Sequence, residues 1–345
     1  MPANESASLS DPILIERQGS FAVGGTVLTS PGGFDPYPIY PGPAGQTLHG
    51  DHAYVQFQIP PQPRQHPLVM LHGGSTFGKT WESTFDDREG YQSIFLRRGY
   101  PVYIVDRPRQ GRAGKMTEGA SFEPRFSEQA TFCVWRLGVW PDYFPNVQVP
   151  RDKEFLNQLF RSQFPSLGPR NHQVTVDAMC ALFAKIGPAV LVTHSFGGIQ
   201  GWLTALESSN IAGIVAYEPT QFVYPEGELP DPITSADAMV ASITEDLGFP
   251  AEQFARLAKI PIQIVYGDNI PREPSPHGGL DLWRVSVPKA RQFVAALQRH
   301  GGDAEVLELP SIGLAGNTHC PFSDLNNVAV ADAMERWMNG RKLTA

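Results

Sequence analysis

One short segment carries the residues of a nucleophilic site. Thr193-His194-Ser195-Phe196-Gly197-Gly198 lies between a predicted buried strand and a predicted helix. A sharp strand-to-helix turn of the G-x-S-x-G kind exposes a serine hydroxyl, and the helix N-terminus behind it favours developing negative charge. Thr193 stands where the first glycine is usual, which predicts a tighter turn on that side. The alternative is a serine that only caps the helix, but the context favours Ser195 as a nucleophile.

A glycine turn supplies candidate hydrogen-bond donors for such a reaction. His72-Gly73-Gly74 ends a short apolar run that reads as a strand. Glycines let backbone N–H groups approach a reacting carbonyl closely, so we predict an oxyanion hole made of the Gly74 and Phe196 N–H groups. The alternative is a tight turn that has no donor function.

Nine histidines compete for the role of general base, and His319 is favoured. It lies in an irregular loop between the last predicted strand and the last predicted helix, where Gly313 and Gly316 permit an unusual backbone path. A base that reaches the serine must hang from such a loop, although a histidine that merely stabilises the loop is the alternative. The others lie at the oxyanion turn, beside the serine, before the catalytic sheet, in a Pro/Gly loop or at helix ends: His72, His194, His49, His52, His66, His277, His172 and His300.

The elements that must position these residues alternate along the chain. Apolar runs predict strands at 67–71, 100–105, 189–193, 211–217, 261–266 and 304–309. Amphipathic patterns predict helices at 80–98, 172–186, 198–207, 285–300 and 327–338. This alternation indicates an α/β fold, in which helices cover both faces of a mainly parallel sheet. The antiparallel-looking start, which includes the alternating run 54–59, would form one edge of that sheet.

Two long segments do not fit the alternation. Residues 108–170 are proline-broken and rich in aromatic side chains, and residues 219–250 form a second such stretch. The aromatic residues of the first segment are Phe122, Phe126, Phe132, Trp135, Trp140, Tyr143, Phe144, Phe155, Phe160 and Phe164. Structureless loops of that length are uncommon unless they are lids or binding loops. We therefore predict a core of 1–107 and 171–345, a lid at 108–170 that shapes an apolar pocket, and a further lid segment at 219–250.

Composition and charge narrow the classes of function. The chain has 345 residues, of which 41% are hydrophobic and 18% are charged, so a large core is available and a disordered polymer is excluded. The net charge of −8 argues against nucleic acid as a partner. No apolar run is long enough for a membrane span, and residues 1–11 contain neither a basic nor an apolar signal region. These features predict a cytoplasmic protein without a membrane partner, and secretion after removal of a signal segment is the alternative.

Cysteines and cofactor motifs are equally restrictive. Cys133, Cys180 and Cys320 form neither a disulfide framework nor a zinc knuckle. Cys133 and Cys320 flank the lid and the His319 loop, where they either pair or remain core thiols. The sequence contains no H-E-x-x-H, no P-loop and no G-x-G-x-x-G between a strand and a helix. We therefore predict no metal and no cofactor.

An arginine group follows the second predicted parallel strand. Arg107, Arg109 and Arg112 lie in the run Asp106-Arg107-Pro108-Arg109-Gln110-Gly111-Arg112. They could clamp a substrate carboxylate, but the spacing of Asp106 and Gly111 is also typical of a structural turn. The structural interpretation is favoured.

Taken together, these motifs resemble the α/β-hydrolase fold over about residues 60–340. More narrowly, five motifs look like those of a bacterial carboxylesterase subfamily: Trp81-Glu82, 88–92 (REGYQ), 96–100 (LRRGY), Tyr217-Glu218-Pro219 and Gly316-Asn317-Thr318-His319. In that subfamily the triad acid is a glutamate after the sixth strand of the fold, which here is the run 211–217. The resemblance implies ester hydrolysis without a cofactor, and a homodimer.

Two residues compete for the triad acid. The commoner hydrolase arrangement places it after the seventh strand, in a pattern like G-[E/D]-x-D. Aligned on Gly267, this chain reads Gly267-Asp268-Asn269-Ile270, so Ile270 occupies the usual acid position and Asp268 the slot that generally serves the turn. Glu218 ends the strand beside the nucleophile strand, and its extra methylene can cover the added reach to His319. Glu218 is favoured over Asp268.

The sequence thus predicts a serine esterase that acts on a small-molecule ester. Ser195 attacks the carbonyl, His319 takes its proton and Glu218 orients the imidazole. A lactonase, an amidase or a carbon–carbon bond hydrolase on the same scaffold is the alternative within enzymes. A receptor that has a hydrolase-like pocket but no activity is the alternative outside them, and such proteins usually lose a triad member.

Overall fold

The computed structural model describes residues 11–120, 123–165, 167 and 171–344. Phe122, residues 168–170 of the predicted lid and the first ten residues, on which the predicted lack of a signal depends, lie outside the described residues. The strands are β1 Arg17–Val23, β2 Thr26–Thr29, β3 Thr47–Gly50, β4 Ala53–Ile59, β5 Leu68–Leu71, β6 Val102–Asp106, β7 Gly138–Val139, β8 Asp142–Tyr143, β9 Ala189–His194, β10 Ile211–Tyr217, β11 Val223–Pro225, β12 Leu247–Phe249, β13 Ile262–Tyr266 and β14 Ala304–Glu308. The helices are α1 Lys79–Glu82, α2 Tyr91–Arg97, α3 Glu128–Val134, α4 Lys153–Arg161, α5 His172–Ile186, α6 Gly197–Glu207, α7 Ala238–Ile243, α8 Ala251–Leu257, α9 Gly278–Arg299 and α10 Asn327–Gly340, with 3-10 turns at Gly111–Ala113 and Leu309–Ile312.

Eight strands form the central sheet, in the order β1-β4-β6-β5-β9-β10-β13-β14. β1 pairs antiparallel with β4, and β4 pairs antiparallel with β6. All later neighbours, from β6 to β14, are parallel. The predicted α/β architecture, a mainly parallel sheet with an antiparallel N-terminal edge, is confirmed. The carboxyl ends of β5, β9, β10 and β13 therefore meet at one edge, where the candidate residues lie.

Two hydrophobic cores cover the two faces of this sheet. Successive residues of β5 alternate between them, because side chains along a strand point to opposite faces. Val69 and Leu71 belong to the core that includes residues of α5, α6 and α9, whereas Leu68 and Met70 belong to the core that includes residues of α2 and α10. Burial on both faces explains why the parallel strands are continuous apolar runs.

The aromatic segment 108–170 is partly core. It contains α3, α4 and the β7–β8 hairpin. Phe132, Trp135 and Phe155 are buried in the same core as α2 and α10, while Phe126 and Trp140 are exposed. Residues 219–250 contain β11, α7 and β12. The interpretation of these two segments as lids stays a prediction.

The continuous helix predicted at 80–98 is wrong. α1 ends at Glu82 and α2 begins at Tyr91, and Ser83 pairs with Glu89 between them. The apolar spacing continues across the gap, but the backbone does not follow it, since Asp87 has a φ of 62°. At Gly90 an added Cβ would lie 2.8 Å from the Trp81 carbonyl oxygen, so the turn requires a glycine at this close approach.

Candidate active site

Ser195 occupies a strained turn between β9 and α6. Its φ is 51°, a left-handed value that few residues other than glycine adopt. The turn is held on both sides, because the Ser195 N–H donates to the Tyr217 carbonyl at 2.8 Å and its own carbonyl accepts from Gly198 at 2.8 Å. An added Cβ on Gly197 would lie 2.7 Å from the His72 carbonyl oxygen. The glycines after Ser195 therefore allow α6 to start against the neighbouring strand end.

Thr193, the departure from the usual elbow pattern, is accommodated by a glycine on the helix. Thr193 is fully buried, and a Cβ added to Gly201 would lie 2.8 Å from its Cγ2 atom. The small residue that the turn needs is thus supplied from the facing side of the helix–strand contact.

The glycine turn after β5 has its central peptide fixed. The Gly73 carbonyl accepts from His72 Nδ1 at 2.8 Å, from Arg107 Nη2 at 2.7 Å and from Thr76 Oγ1 at 3.2 Å. In a trans peptide the carbonyl of Gly73 and the N–H of Gly74 point in opposite directions. Three donors on the carbonyl therefore aim the Gly74 N–H the other way, and Gly74 lines the cavity that also contains Ser195 and Phe196. Gly73 itself has no room for a side chain, since a Cβ would lie 2.7 Å from His194 Nδ1.

His319 lies in the loop between β14 and α10, and carboxylates shape that loop. Asp324 accepts from the Thr318 N–H and hydroxyl, both at 2.7 Å, and from Asn317 Nδ2 at 3.0 Å. Burial raises the pKa of Asp324 to about 7. The His319 N–H donates to the Trp135 carbonyl at 3.0 Å, which attaches the loop to segment 108–170.

Glu218, and not Asp268, contacts His319. The Glu218 Oε2 atom accepts from His319 Nδ1 at 2.8 Å, and both side chains are buried. Glu218 has a φ of 52°, which turns its side chain out of line with β10, and its Oε1 atom accepts from the Gly267 N–H at 2.7 Å. Asp268 instead accepts from Gly316 N at 2.7 Å and from Asn146 Nδ2 at 2.9 Å. Asp268 therefore holds the backbone of the His319 loop.

Arg136 is a member of this cluster that sequence reasoning missed. It is fully buried, and two of its nitrogens donate to the two carboxylate oxygens of Glu218, Nη1 to Oε2 at 2.7 Å and Nη2 to Oε1. Its Nε donates to the Asp268 carbonyl at 2.8 Å, and its guanidinium lies 4.8 Å from the centre of the Trp283 ring. The available signal was a single charge inside the apolar run 132–140.

Burial and charge together keep the histidines of the site neutral. Burial lowers the pKa of His319 below its usual 6.5, Glu218 acts in the opposite direction and Arg136 acts with burial. Burial alone would raise the pKa of Glu218, but Arg136 and His319 outweigh it and the pKa lies below its usual value. Burial also lowers the pKa of His72 to about 3 and holds that of His194 well below 6.5. His319 thus keeps Nε2 as its proton-accepting nitrogen, because Nδ1 donates to Glu218.

His194 is hydrogen-bonded to the backbone of the loop that carries His319. Its Nε2 donates to the His319 carbonyl at 3.0 Å, and the two imidazole rings lie 4.4 Å apart. The residue before the serine therefore holds the backbone of the candidate base.

The three arginines that could clamp a substrate carboxylate each bind other groups of the protein. Arg107 donates to Gln200 at 2.8 Å as well as to Gly73. Arg109 pairs with Asp51 at 2.8 Å, and Arg112 pairs with Asp106 at 2.7 Å. These contacts favour the structural interpretation of the group over a carboxylate clamp.

A cavity of about 910 Å³ opens above the sheet edge and contains Ser195 and His319 in its wall. Segment 108–170 contributes Thr131, Val134 and Phe164 to that wall, and segment 219–250 contributes Ile243. Both predicted lid segments thus line the space next to the serine.

Three further features concern the sequence predictions. Cys133, Cys180 and Cys320 are free thiols. Within the described ranges, no group of three or more His, Cys, Asp or Glu side chains is arranged to hold a metal ion. Across the same part of the chain, no helix is both long and apolar enough to cross a bilayer.

Comparisons with known proteins identify relatives. Residues 68–340 match the model of the alpha/beta hydrolase family. The chain is similar to a solved structure of a bacterial esterase, with 30% identity, a TM-score of 0.76 and full coverage of both chains. It is also 26% identical over 316 residues to a protein of Fungal sp. (strain ATCC 74256) described as a probable secreted lipase, covering 83% of this chain and 85% of that protein.

Proposed function

Because the chain belongs to the alpha/beta hydrolase family, we propose that it is a serine carboxylesterase with Ser195, His319 and Glu218 as its catalytic triad. The observation that carries the proposal is the buried hydrogen bond of 2.8 Å between His319 Nδ1 and Glu218 Oε2, in a cavity wall that also holds Ser195. An esterase and a lipase among its relatives support the same class of reaction.

In the proposed mechanism, His319 Nε2 takes the proton of the Ser195 hydroxyl as its oxygen attacks the ester carbonyl. The Gly74 and Phe196 N–H groups stabilise the oxyanion of the tetrahedral intermediate. His319 then gives its proton to the departing alcohol, which leaves an acyl ester on Ser195. A water molecule, deprotonated by His319, attacks that ester. The bond between the acyl carbon and the Ser195 oxygen breaks, His319 returns the proton to that oxygen and the carboxylic acid leaves.

The hydrogen bond between His319 and Glu218 argues against a receptor without activity. Such a receptor needs the cavity but not the acid–imidazole hydrogen bond, which holds two buried polar groups in a defined orientation. Lactones, amides and carbon–carbon bonds are cleaved by related chemistry, and a substrate panel separates them from simple esters.

The proposal is tested with p-nitrophenyl esters, a lactone, an anilide and a β-diketone, and with a fluorophosphonate that labels active serines. We expect ester turnover and one phosphonate per chain. Ser195→Ala should reduce turnover by at least about 10³-fold and abolish labelling. Ser127→Ala, which alters another serine of the same cavity wall, should keep both. Labelling of Ser195→Ala, or turnover of the diketone alone, would contradict the proposal.

The homodimer and the compartment stay predictions. Light scattering at micromolar concentration tests the dimer. The sequence predicts a cytoplasmic protein, whereas the fungal relative is described as secreted. Fractionation of cells that express the full-length gene distinguishes the two compartments.

A further inference from the structure

We propose that Arg136 is a positioning residue for the Glu218–His319 pair, which it both orients and holds at the protonation state that the reaction needs. The inference rests on the proposed hydrolase function. It starts from a contact between segment 108–170 and the end of β10, two parts of the chain that are 82 residues apart.

The first contribution is orientation. Among the residues that the structure describes, four hydrogen bonds reach the Glu218 carboxylate: Arg136 donates to both oxygens, the Gly267 N–H to Oε1 and His319 to Oε2. A planar guanidinium that binds both oxygens fixes the plane of the carboxylate, which a single point charge does not do. Since His319 Nδ1 bonds to Oε2, the plane of the carboxylate in turn sets the direction of the imidazole.

A second anchor makes Arg136 a rigid reference for this pair. Its Nε donates to the Asp268 carbonyl, and Asp268 holds Gly316 of the His319 loop. The central carbon of the guanidinium lies over the Trp283 ring, and the centre of that ring lies 4.3 Å from the centre of the His319 ring. Arg136 thus contacts Glu218 directly. It is linked to His319 through Asp268 and Gly316 on one path and through Trp283 on the other.

The second contribution is charge. The titratable and charged groups that act on His319 or contact its loop are His194 from β9, Glu218 after β10, Asp268 after β13, Cys320 and Asp324 from the loop itself, and Arg136 from segment 108–170. Arg136 neutralises Glu218, so the acid alone does not hold a proton on His319 in the resting enzyme. A base that stays unprotonated in mild acid remains able to accept the Ser195 proton.

A structural role alone predicts a different result. An arginine that merely joins segment 108–170 to the sheet would affect stability and would leave the pH dependence of the reaction unchanged. The pH dependence of kcat/KM therefore distinguishes a positioning role of Arg136 from a purely structural one.

The test compares Arg136→Met, Arg136→Lys and the wild type by kcat and KM for one p-nitrophenyl ester between pH 4.5 and 8.5. For Arg136→Met we expect the acidic limb of kcat/KM to move up by about one pH unit, because the positive charge is lost. For Arg136→Lys we expect the limb to stay near that of the wild type. Its kcat should fall roughly ten- to a hundredfold, and its KM should stay within about twofold of the wild-type value. The lysine keeps the positive charge but cannot bind both carboxylate oxygens of Glu218 as the guanidinium does.

Lys289→Met is the matched control. It removes a buried cation that pairs with Asp246 at 2.7 Å, and neither residue is among those that line the cavity. We expect a lower melting temperature and an unmoved acidic limb. A limb that moves equally in this control would contradict the inference.

The remaining outcomes are equally decisive. A folded Arg136→Met with the wild-type limb and kcat would overturn the inference. If that variant does not fold, Arg136→Lys decides, and an unchanged kcat there would overturn it. A wild type without Ser195-dependent ester turnover would instead overturn the proposed function, so the two failures are distinguishable.

Discussion

At the scale of single residues, the choice between two acidic side chains is a matter of which oxygen reaches which nitrogen. Glu218 leaves the line of β10 at a left-handed backbone position and contacts His319. Asp268, one strand further, accepts from the backbone N–H of Gly316 and from the side chain of Asn146. Glu218 therefore binds the imidazole of His319, and Asp268 binds the backbone of the loop that carries His319.

We predict that Glu218→Gln lowers kcat by about 10⁴-fold, because the imidazole loses its fixed orientation and its counter-charge. It also leaves the buried Arg136 without a counter-charge, which should lower the free energy of unfolding by about 3–5 kcal/mol. If the single variant does not accumulate, Glu218→Gln combined with Arg136→Met removes both charges and provides a folded background. Steady-state kinetics and urea unfolding measure the two effects.

Asp268→Asn is the comparison for this prediction. Its one amide oxygen cannot accept from all three groups that the carboxylate binds, which are the N–H groups of Gly316 and Asn269 and the side chain of Asn146. We therefore expect a loss of about 1–3 kcal/mol of stability. Its kcat should stay within about tenfold of the wild type. An inactive Asp268→Asn beside an active Glu218→Gln would place the acid after β13.

At the scale of elements, segment 108–170 has two faces. Phe132 on α3 packs into the core, while Thr131 beside it lines the cavity. Shortening the whole segment would therefore remove core rings together with the pocket wall. Single substitutions on α3 separate the two roles.

We predict that Thr131→Trp narrows the cavity and changes the ranking of esters by chain length. The added ring should lower kcat/KM for an octanoate ester at least about tenfold relative to an acetate ester. Each methylene group that loses its contact with the pocket weakens the binding of the acyl chain in the transition state. Gln129→Trp, on the exposed side of the same helix, is the control and should leave the ranking unchanged. A ranking that Thr131→Trp does not alter would show that the acyl chain lies elsewhere.

At the scale of the whole molecule, the buried titratable groups of the site make the free energy of unfolding depend on pH. His72, His194 and His319 are buried and their pKa values lie below 6.5, so the unfolded chain binds their protons more readily than the native protein. Asp324, whose pKa is raised to about 7, acts in the opposite sense between its usual pKa of 3.8 and pH 7. The first effect removes stability as pH falls below 6.5, and the second offsets part of it.

We predict that the free energy of unfolding falls as the pH drops from 6.5 toward 5, with an uptake of about two protons, or roughly 3 kcal/mol per pH unit at most. Urea unfolding at pH 7.5, 6 and 5 measures it. Asp324→Asn removes the opposing contribution and should steepen the decline by about one proton. Equal stability at pH 7.5 and 5 would show that the histidines are not neutral in the native state.

Much of this site could be predicted from local patterns. The elbow around Ser195 and the glycine turn before Gly74 are short segments whose residue types restrict the backbone directly. Alternating apolar strands and helices then place the carboxyl ends of the parallel strands at one edge, which brings residues far apart in the chain to the same side. The loop position of His319 and the strand-end position of Glu218 follow from the same reasoning.

Only the tertiary structure revealed the contacts that no local pattern encodes. The break between α1 and α2 depends on the left-handed Asp87 and on the close approach of Gly90 to Trp81, although the apolar spacing continues across it. The aromatic rings of segment 108–170 divide between core and cavity according to their neighbours. Arg136 has a partner 82 residues away, and a charge among apolar residues does not specify which buried carboxylate it meets. Long-range pairings depend on how the whole chain packs, because burial leaves such a charge stable only where its partner is already in place.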